Sequence, residues 1–218
     1  MRFLFFLLLT PLLVAGCDEA ENPLPTFERT ASIPNARPVQ ASLPADRTYL
    51  SSEEQRVAAE ANLLPADAKS LLNQAPMQYG EYVWNEDDAL SGDMKIWVDV
   101  RRQTVSVFRD GHEIGTAIIV YGAPGKESPL GTFKVKRKVA DYHSRTYDAP
   151  MPHSLFLTDD GVALHGSDVR PRRATRGCIG VPAEFAAKLY AATSVGTPVR
   201  IVESTAVTVA GDRAARSL

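Results

Sequence analysis

Two runs of alternating β-branched and aromatic residues, 95–100 (Lys-Ile-Trp-Val-Asp-Val) and 104–108 (Thr-Val-Ser-Val-Phe), constrain the fold more than anything else in the chain. A period of two puts every second side chain on one face of a strand, whereas a helix needs apolar residues three and four apart. Asp110-Gly111 follows at once, a dipeptide suited to a tight hairpin turn, so residues 113–121 are expected to return as the next strand. Further short strands are expected at 133–136, 154–157, 162–164 and 198–202. Residues 183–192 carry Phe185, Leu189 and Ala192 on one helical face. Many short strands with turn signals and one late helix predict a mainly β domain, sandwich or barrel-like, over residues 94–203. No internal repeat is present.

The reactive side chains of this region concentrate between His165 and Val181. There His165-Gly166-Ser167 leads into a loop with Arg170, Arg172, Arg173 and Arg176, and Thr175-Arg176-Gly177-Cys178-Ile179-Gly180-Val181 follows. A thiol attacks as thiolate, and its ordinary pKa of about 8.5 must be lowered by a base or a positive charge nearby. His165, thirteen positions before Cys178, is the candidate base. Gly177 lets the backbone turn tightly, so the N–H groups of Gly177 and Cys178 are the candidate oxyanion donors. The plain alternatives are a buried inert cysteine and a structural histidine. His112, His143, His153 and His165 show no metal-ligand spacing, and neither a metal nor a cofactor is expected.

The pattern resembles the L,D-transpeptidase catalytic domain of the YkuD type, whose signature is His-Gly, a loop, then Ser/Thr-x-Gly-Cys and Ile or Val. Upstream, Tyr121-Gly122-Ala123-Pro124 through Ser128-Pro129-Leu130-Gly131-Thr132-Phe133 resembles the family's Gly-x-Pro and Pro-x-Gly-x-Phe elements. Met151-Pro152 and Gly161-Val162-Ala163-Leu164-His165-Gly166 are similar to two more pieces, in the family's order. The resemblance implies a β-sandwich, a Cys178 nucleophile with His165 as base and then acid, and a backbone carbonyl at Gly166 that orients the imidazole. Two positions depart from the pattern. Arg176 stands where the family most often has histidine, and Gly180 where it often has arginine or asparagine. Arginine binds carboxylates and can lower a thiol pKa, although a solvated loop arginine is an equal reading. Thr175, Arg176 and His153 are the expected substrate contacts. Arg170, Arg172 and Arg173 either bind carboxylates of diaminopimelate-type stems or face solvent, the latter for at least two. Tyr142, His143 and Tyr147 lie in a segment that can cover the cleft.

The N-terminus bears on location. Arg2 precedes an apolar run from Phe3 to Val14 that closes on Val14-Ala15-Gly16-Cys17, too short for a standard membrane span and shaped like a signal peptide ending in a lipobox. Residues 1–16 are then removed and Cys17 carries lipid, which leaves Cys178 as a lone thiol with no disulfide partner. Residues 17–50, punctuated by five prolines, read as a flexible tether, and 204–218 as a disordered tail. Over 51–80 a short helical prelude is expected. Ser51 with Glu54 forms a capping box for a first helix, and Pro65 opens a second with Ala68, Leu71 and Leu72 on one side. A net charge of -2 over 218 residues offers nothing to nucleic acid.

Taken together, the expectation is a monomeric, periplasmic, lipid-anchored cysteine L,D-transpeptidase acting on peptidoglycan stem peptides through a thioester. The rivals are a thiol hydrolase, either a carboxypeptidase or an amidase that releases wall-linked lipoprotein, and a wall-binding lipoprotein without catalysis.

Overall fold

The computed structural model describes residues 47–85 and 91–205. The signal-like segment, Cys17, most of the tether and the tail beyond Thr205 lie outside the described residues. Twelve strands and two helices follow in chain order: β1 (Arg47–Tyr49), α1 (Ser52–Glu60), β2 (Ser70–Leu72), β3 (Tyr82–Trp84), β4 (Met94–Asp99), β5 (Thr104–Arg109), β6 (His112–Ile118), β7 (Gly131–Lys134), β8 (Arg137–Ser144), β9 (Ala149–Phe156), β10 (Ala163–Gly166), β11 (Ile179–Val181), α2 (Ala183–Ala192) and β12 (Pro198–Val202). The larger sheet has the order β1-β2-β6-β5-β4-β12-β7, with β3 also paired to β6, and the smaller has the order β11-β10-β9-β8. The domain is mainly β, as the alternating runs predict.

Alternation decides which residues fill the core. Ile96 and Val98 of β4, Val105 and Val107 of β5, and Val199 and Ile201 of β12 point from the larger sheet into one cluster. Leu155, Leu164, Ile179 and Val181 of the smaller sheet meet them there, together with Phe185, Ala186 and Leu189 of α2. The β5–β6 turn is the expected one. Asp110 and Gly111 both take positive φ (48° and 79°), the geometry whose twist suits a two-residue hairpin. At the C-terminal end α2 and β12 fall on the expected residues.

The N-terminal expectations need correction. Helix α1 forms as read, its capping box completed by Glu54 N–H on Ser51 Oγ (3.3 Å) and Ser51 N–H on Glu54 Oε2 (2.8 Å). The second helix is absent, and β2 occupies its place. Leu71 and Leu72 face different clusters, as alternate strand residues do. The backbone of this segment is tied to neighbours instead of to its own next turn: Lys69 N–H donates to Gly111 O (2.6 Å), and Leu50 N–H to Lys69 O (2.9 Å). Fewer than two turns of apolar spacing supply little helical stability of their own, so sheet pairing prevails. Residues 47–49, assigned to the tether, are strand β1, paired with β2. Residues 204 and 205 belong to the domain: Ser204 is buried, and Thr205 N–H donates to Ala61 O (3.0 Å) at the end of α1.

The join between this N-terminal appendage and β6 contains a buried carboxylate. Glu113 of β6 is 4% exposed and accepts from Leu72 N–H at 3.0 Å. Burial pushes its pKa up to about 7 against the opposing pull of Ser106, Leu72 and Arg47.

Candidate active site

Register in the smaller sheet assembles the site. β10 and β11 run parallel with Leu164 opposite Ile179, His165 opposite Gly180 and Gly166 opposite Val181. Leu164, Ile179 and Val181 face the core, so His165 and Gly180 face the other side of the sheet. Ala163 shares that other face. It packs with Met151 and Phe156, and Cys178, just before β11, lies against the same cluster with Tyr142 and Val139. The nucleophile and base predicted from sequence are thus brought to one face, His165 on β10 and Cys178 just before the neighbouring β11.

His165 is 7% exposed, and its Nδ1 lies 2.9 Å from Gly166 O. A carbonyl only accepts, so Nδ1 carries the proton and Nε2 keeps its lone pair. Burial holds the His165 pKa below its ordinary value, with the Gly166 contact opposing. The thiol is pushed the other way. Burial raises the Cys178 pKa, Asp160 adds to the rise, and the Ala163 backbone opposes it. Cys178 Sγ donates weakly to Gly161 O at 3.7 Å. Both shifts favour the neutral imidazole and the neutral thiol. Arg176 is not among the groups that shift the thiol, which leaves it the solvated loop arginine of the two readings as far as the thiol is concerned.

The loop before the nucleophile is tied down through its backbone. Gly177 has φ +110°, which L side chains rarely adopt. Thr175 N–H donates to Tyr121 O (2.8 Å), and Ala123 N–H to Thr175 O (3.1 Å). Two hydroxyls reach the Cys178 carbonyl, Thr175 Oγ1 at 2.5 Å and Ser128 Oγ at 3.4 Å, and Ser128 Oγ also accepts from Gly122 N–H at 3.1 Å. Thr175, expected to contact substrate, instead directs its hydroxyl at Cys178 O. Ser128 is a positioning residue that sequence reasoning overlooked, although it opens the Ser-Pro-Leu-Gly-Thr-Phe element that carried part of the resemblance.

Other expected contacts are placed as follows. Arg176 is exposed, with its guanidinium 4.9 Å from the ring centre of Tyr147 at the tip of the β8–β9 hairpin. That hairpin reaches back to the cysteine through Tyr142, whose ring meets Phe156 edge-on at 5.0 Å. His143 pairs with Asp148 at 2.7 Å on the exposed side of the same hairpin. Arg170 pairs with Asp168, and Arg172 and Arg173 are exposed. His153 turns at positive φ (54°) and packs edge-on against Tyr190 of α2 at 5.6 Å. Gly180 has a packing reason. A Cβ there would lie 2.7 Å from both Ser167 Cβ and Val120 Cγ2, so arginine or asparagine does not fit.

The family model of the YkuD L,D-transpeptidase catalytic domain matches residues 93–201, half of the chain. The chain belongs to that family. Among solved structures it is similar to an L,D-transpeptidase from Stackebrandtia nassauensis, at 22% identity over 56% of this chain and 63% of that one, with a TM-score of 0.48. It is also similar to an L,D-transpeptidase from Mycobacterium smegmatis, at 24% identity over 50% of this chain and 58% of that one, with a TM-score of 0.47. A third similar structure is the catalytic domain of the E. faecium L,D-transpeptidase, at 27% identity over 50% of this chain and 97% of that one, with a TM-score of 0.43. The match spans less than two thirds of the first two chains. No curated protein matches the chain.

Proposed function

We propose that this protein is a cysteine L,D-transpeptidase of the bacterial periplasm, held at a membrane by lipid on Cys17 and acting on peptidoglycan stem peptides. The observation that carries the reading is the imidazole. His165 Nδ1 is committed to Gly166 O, so Nε2 is the basic nitrogen, on the sheet face that holds Cys178. In the proposed reaction the thiol proton passes to His165 Nε2 as sulfur attacks a carbonyl of the donor stem. The C–S bond forms, the C–N bond breaks, and His165 returns the proton to the leaving amine. An acceptor amine then attacks the thioester and releases the thiol.

The N–H groups of Cys178 and Gly177 are the proposed oxyanion donors, oriented by the tight turn at Gly177 and by the two hydroxyls on the Cys178 carbonyl. Arg176, held over Tyr147, is the proposed carboxylate contact for the donor stem. Because burial favours the neutral forms of both groups, the proposed reaction has proton transfer accompany attack on bound substrate.

Product analysis by mass spectrometry tests this reading, using the full chain and tetrapeptide-bearing muropeptides with and without an added acceptor amine. Crosslinked or amine-exchanged product is expected. Shortened stems alone, with the acceptor ignored, would assign the protein to thiol hydrolysis instead.

A further inference from the structure

The turn joining β9 to β10 touches the nucleophile through its backbone and carries two acidic residues, Asp159 and Asp160. It is held by Leu157 N–H on Val162 O (2.8 Å) and Val162 N–H on Thr158 Oγ1 (3.0 Å). Asp159 is paired with Lys136 Nζ at 2.6 Å. Gly161 receives the Cys178 S–H at 3.7 Å, and the residue just before it, Asp160, is exposed on the same turn. Among the described residues Asp160 forms no ion pair, and its charge is felt at the thiol as one of the causes that raise its pKa.

A negative charge beside a cysteine nucleophile opposes the first half of thiol acyl transfer, because it disfavours thiolate. It does not oppose the second half in the same way. Once sulfur is acylated it carries no charge, and the incoming acceptor is an amine that reaches the site as ammonium. A neighbouring carboxylate raises the local concentration of such a cation, and leaves water and uncharged nucleophiles unaffected.

We propose that Asp160 is a positioning residue for the acceptor, drawing a cationic amine to the thioester on Cys178 and so favouring aminolysis over hydrolysis. This rests on the reading of Cys178 as the acyl-carrying nucleophile. The step balances as follows. The ammonium releases one proton to solvent. The free amine attacks the thioester carbonyl and forms C–N, its second proton passing to His165 Nε2. The C–S bond breaks, and that proton returns to sulfur. Asp160 exchanges no proton.

The test compares wild type, Asp160→Asn and Asp160→Glu in the full chain, with a tetrapeptide donor and two acceptors: a diaminopimelate-bearing tripeptide, and methoxyamine, which is uncharged at neutral pH. Asp160→Asn is expected to lower transfer to the tripeptide roughly two- to fivefold relative to methoxyamine and water, the order of effect of one solvent-exposed charge. High salt is expected to shrink the difference, and Asp160→Glu to restore most of it. Acylation of Cys178 by a carbapenem is expected to quicken in Asp160→Asn, since the opposing charge is gone. An unchanged ratio between acceptors in Asp160→Asn, with the wild type still forming its acyl-enzyme, overturns the role of Asp160 alone. Absence of any acyl-enzyme in the wild type overturns the assignment of Cys178, and this inference with it.

Discussion

Glu113 offers a quantitative test of how the N-terminal appendage is held. Its carboxyl is buried where β2 meets β6 and accepts from Leu72 N–H, and burial raises its pKa from 4.5 to about 7. A carboxyl whose folded-state pKa is raised is protonated more readily in the folded than in the unfolded chain. Stability from this group is fully present below about pH 4.5 and is lost as pH rises through 7. The gap, at about 1.36 kcal/mol per pH unit, amounts to about 3 kcal/mol. That is a large part of the 5 to 15 kcal/mol over which domains of this kind are stable. Glu113→Gln keeps an oxygen for Leu72 N–H and an amide for Ser106, and does not ionise. Urea unfolding of both proteins at pH 5 and pH 8 is the assay. The variant is expected to gain up to about 3 kcal/mol on wild type at pH 8 and to match it closely at pH 5. Parallel profiles across that window would refute the account of Glu113 as a buried, neutral-preferring carboxyl.

Two further outcomes follow from the site. Burial holds His165 low and Cys178 high, so alkylation of Cys178 by iodoacetamide in the ligand-free protein is expected to climb through the alkaline range. Full reactivity reached by pH 6 would show a preformed ion pair instead. Gly180→Ala is expected to cost about 1–3 kcal/mol in urea unfolding, because the new methyl meets Val120 and Ser167 in a packed layer; a variant as stable as wild type would sink that explanation of Gly180.

What could be read without coordinates was what local chemistry decides. Asp110-Gly111 announces its turn because both residues accept positive φ, and the Ser51–Glu54 box marks the start of α1 because its two hydrogen bonds are local. The carbonyl at Gly166 and the place of His165 and Cys178 on one sheet face followed from motif order. Elements that exist only through partners were missed. β2 is three residues long and is a strand because β1 and β6 flank it. The β8–β9 hairpin was expected only at its end, residues 154–157, and Pro150 and Pro152 lie in the part that was not. They are tolerated because the described pairing of β9 with β10 involves only Leu155 and Phe156, while its proline-bearing part pairs with β8 alone. The protein partners of Thr175 and His153 were hidden for the same reason. A hydroxyl or a ring beside a motif does not reveal whether it faces a ligand or, as here, Cys178 O and Tyr190. Gly180 looked like a lost functional side chain until the Val120 and Ser167 contacts showed that no side chain fits.

The central claim is that Cys178 carries the acyl group. Intact-mass and peptide-mapping analysis of the full chain, trapped during turnover of a tetrapeptide muropeptide, tests it most directly. The account predicts a stem-peptide adduct on the peptide containing Cys178 in wild type, no adduct and no transfer product from a folded Cys178→Ala protein, and nearly complete loss in His165→Ala. Transfer product formed by Cys178→Ala at the wild-type rate would contradict it.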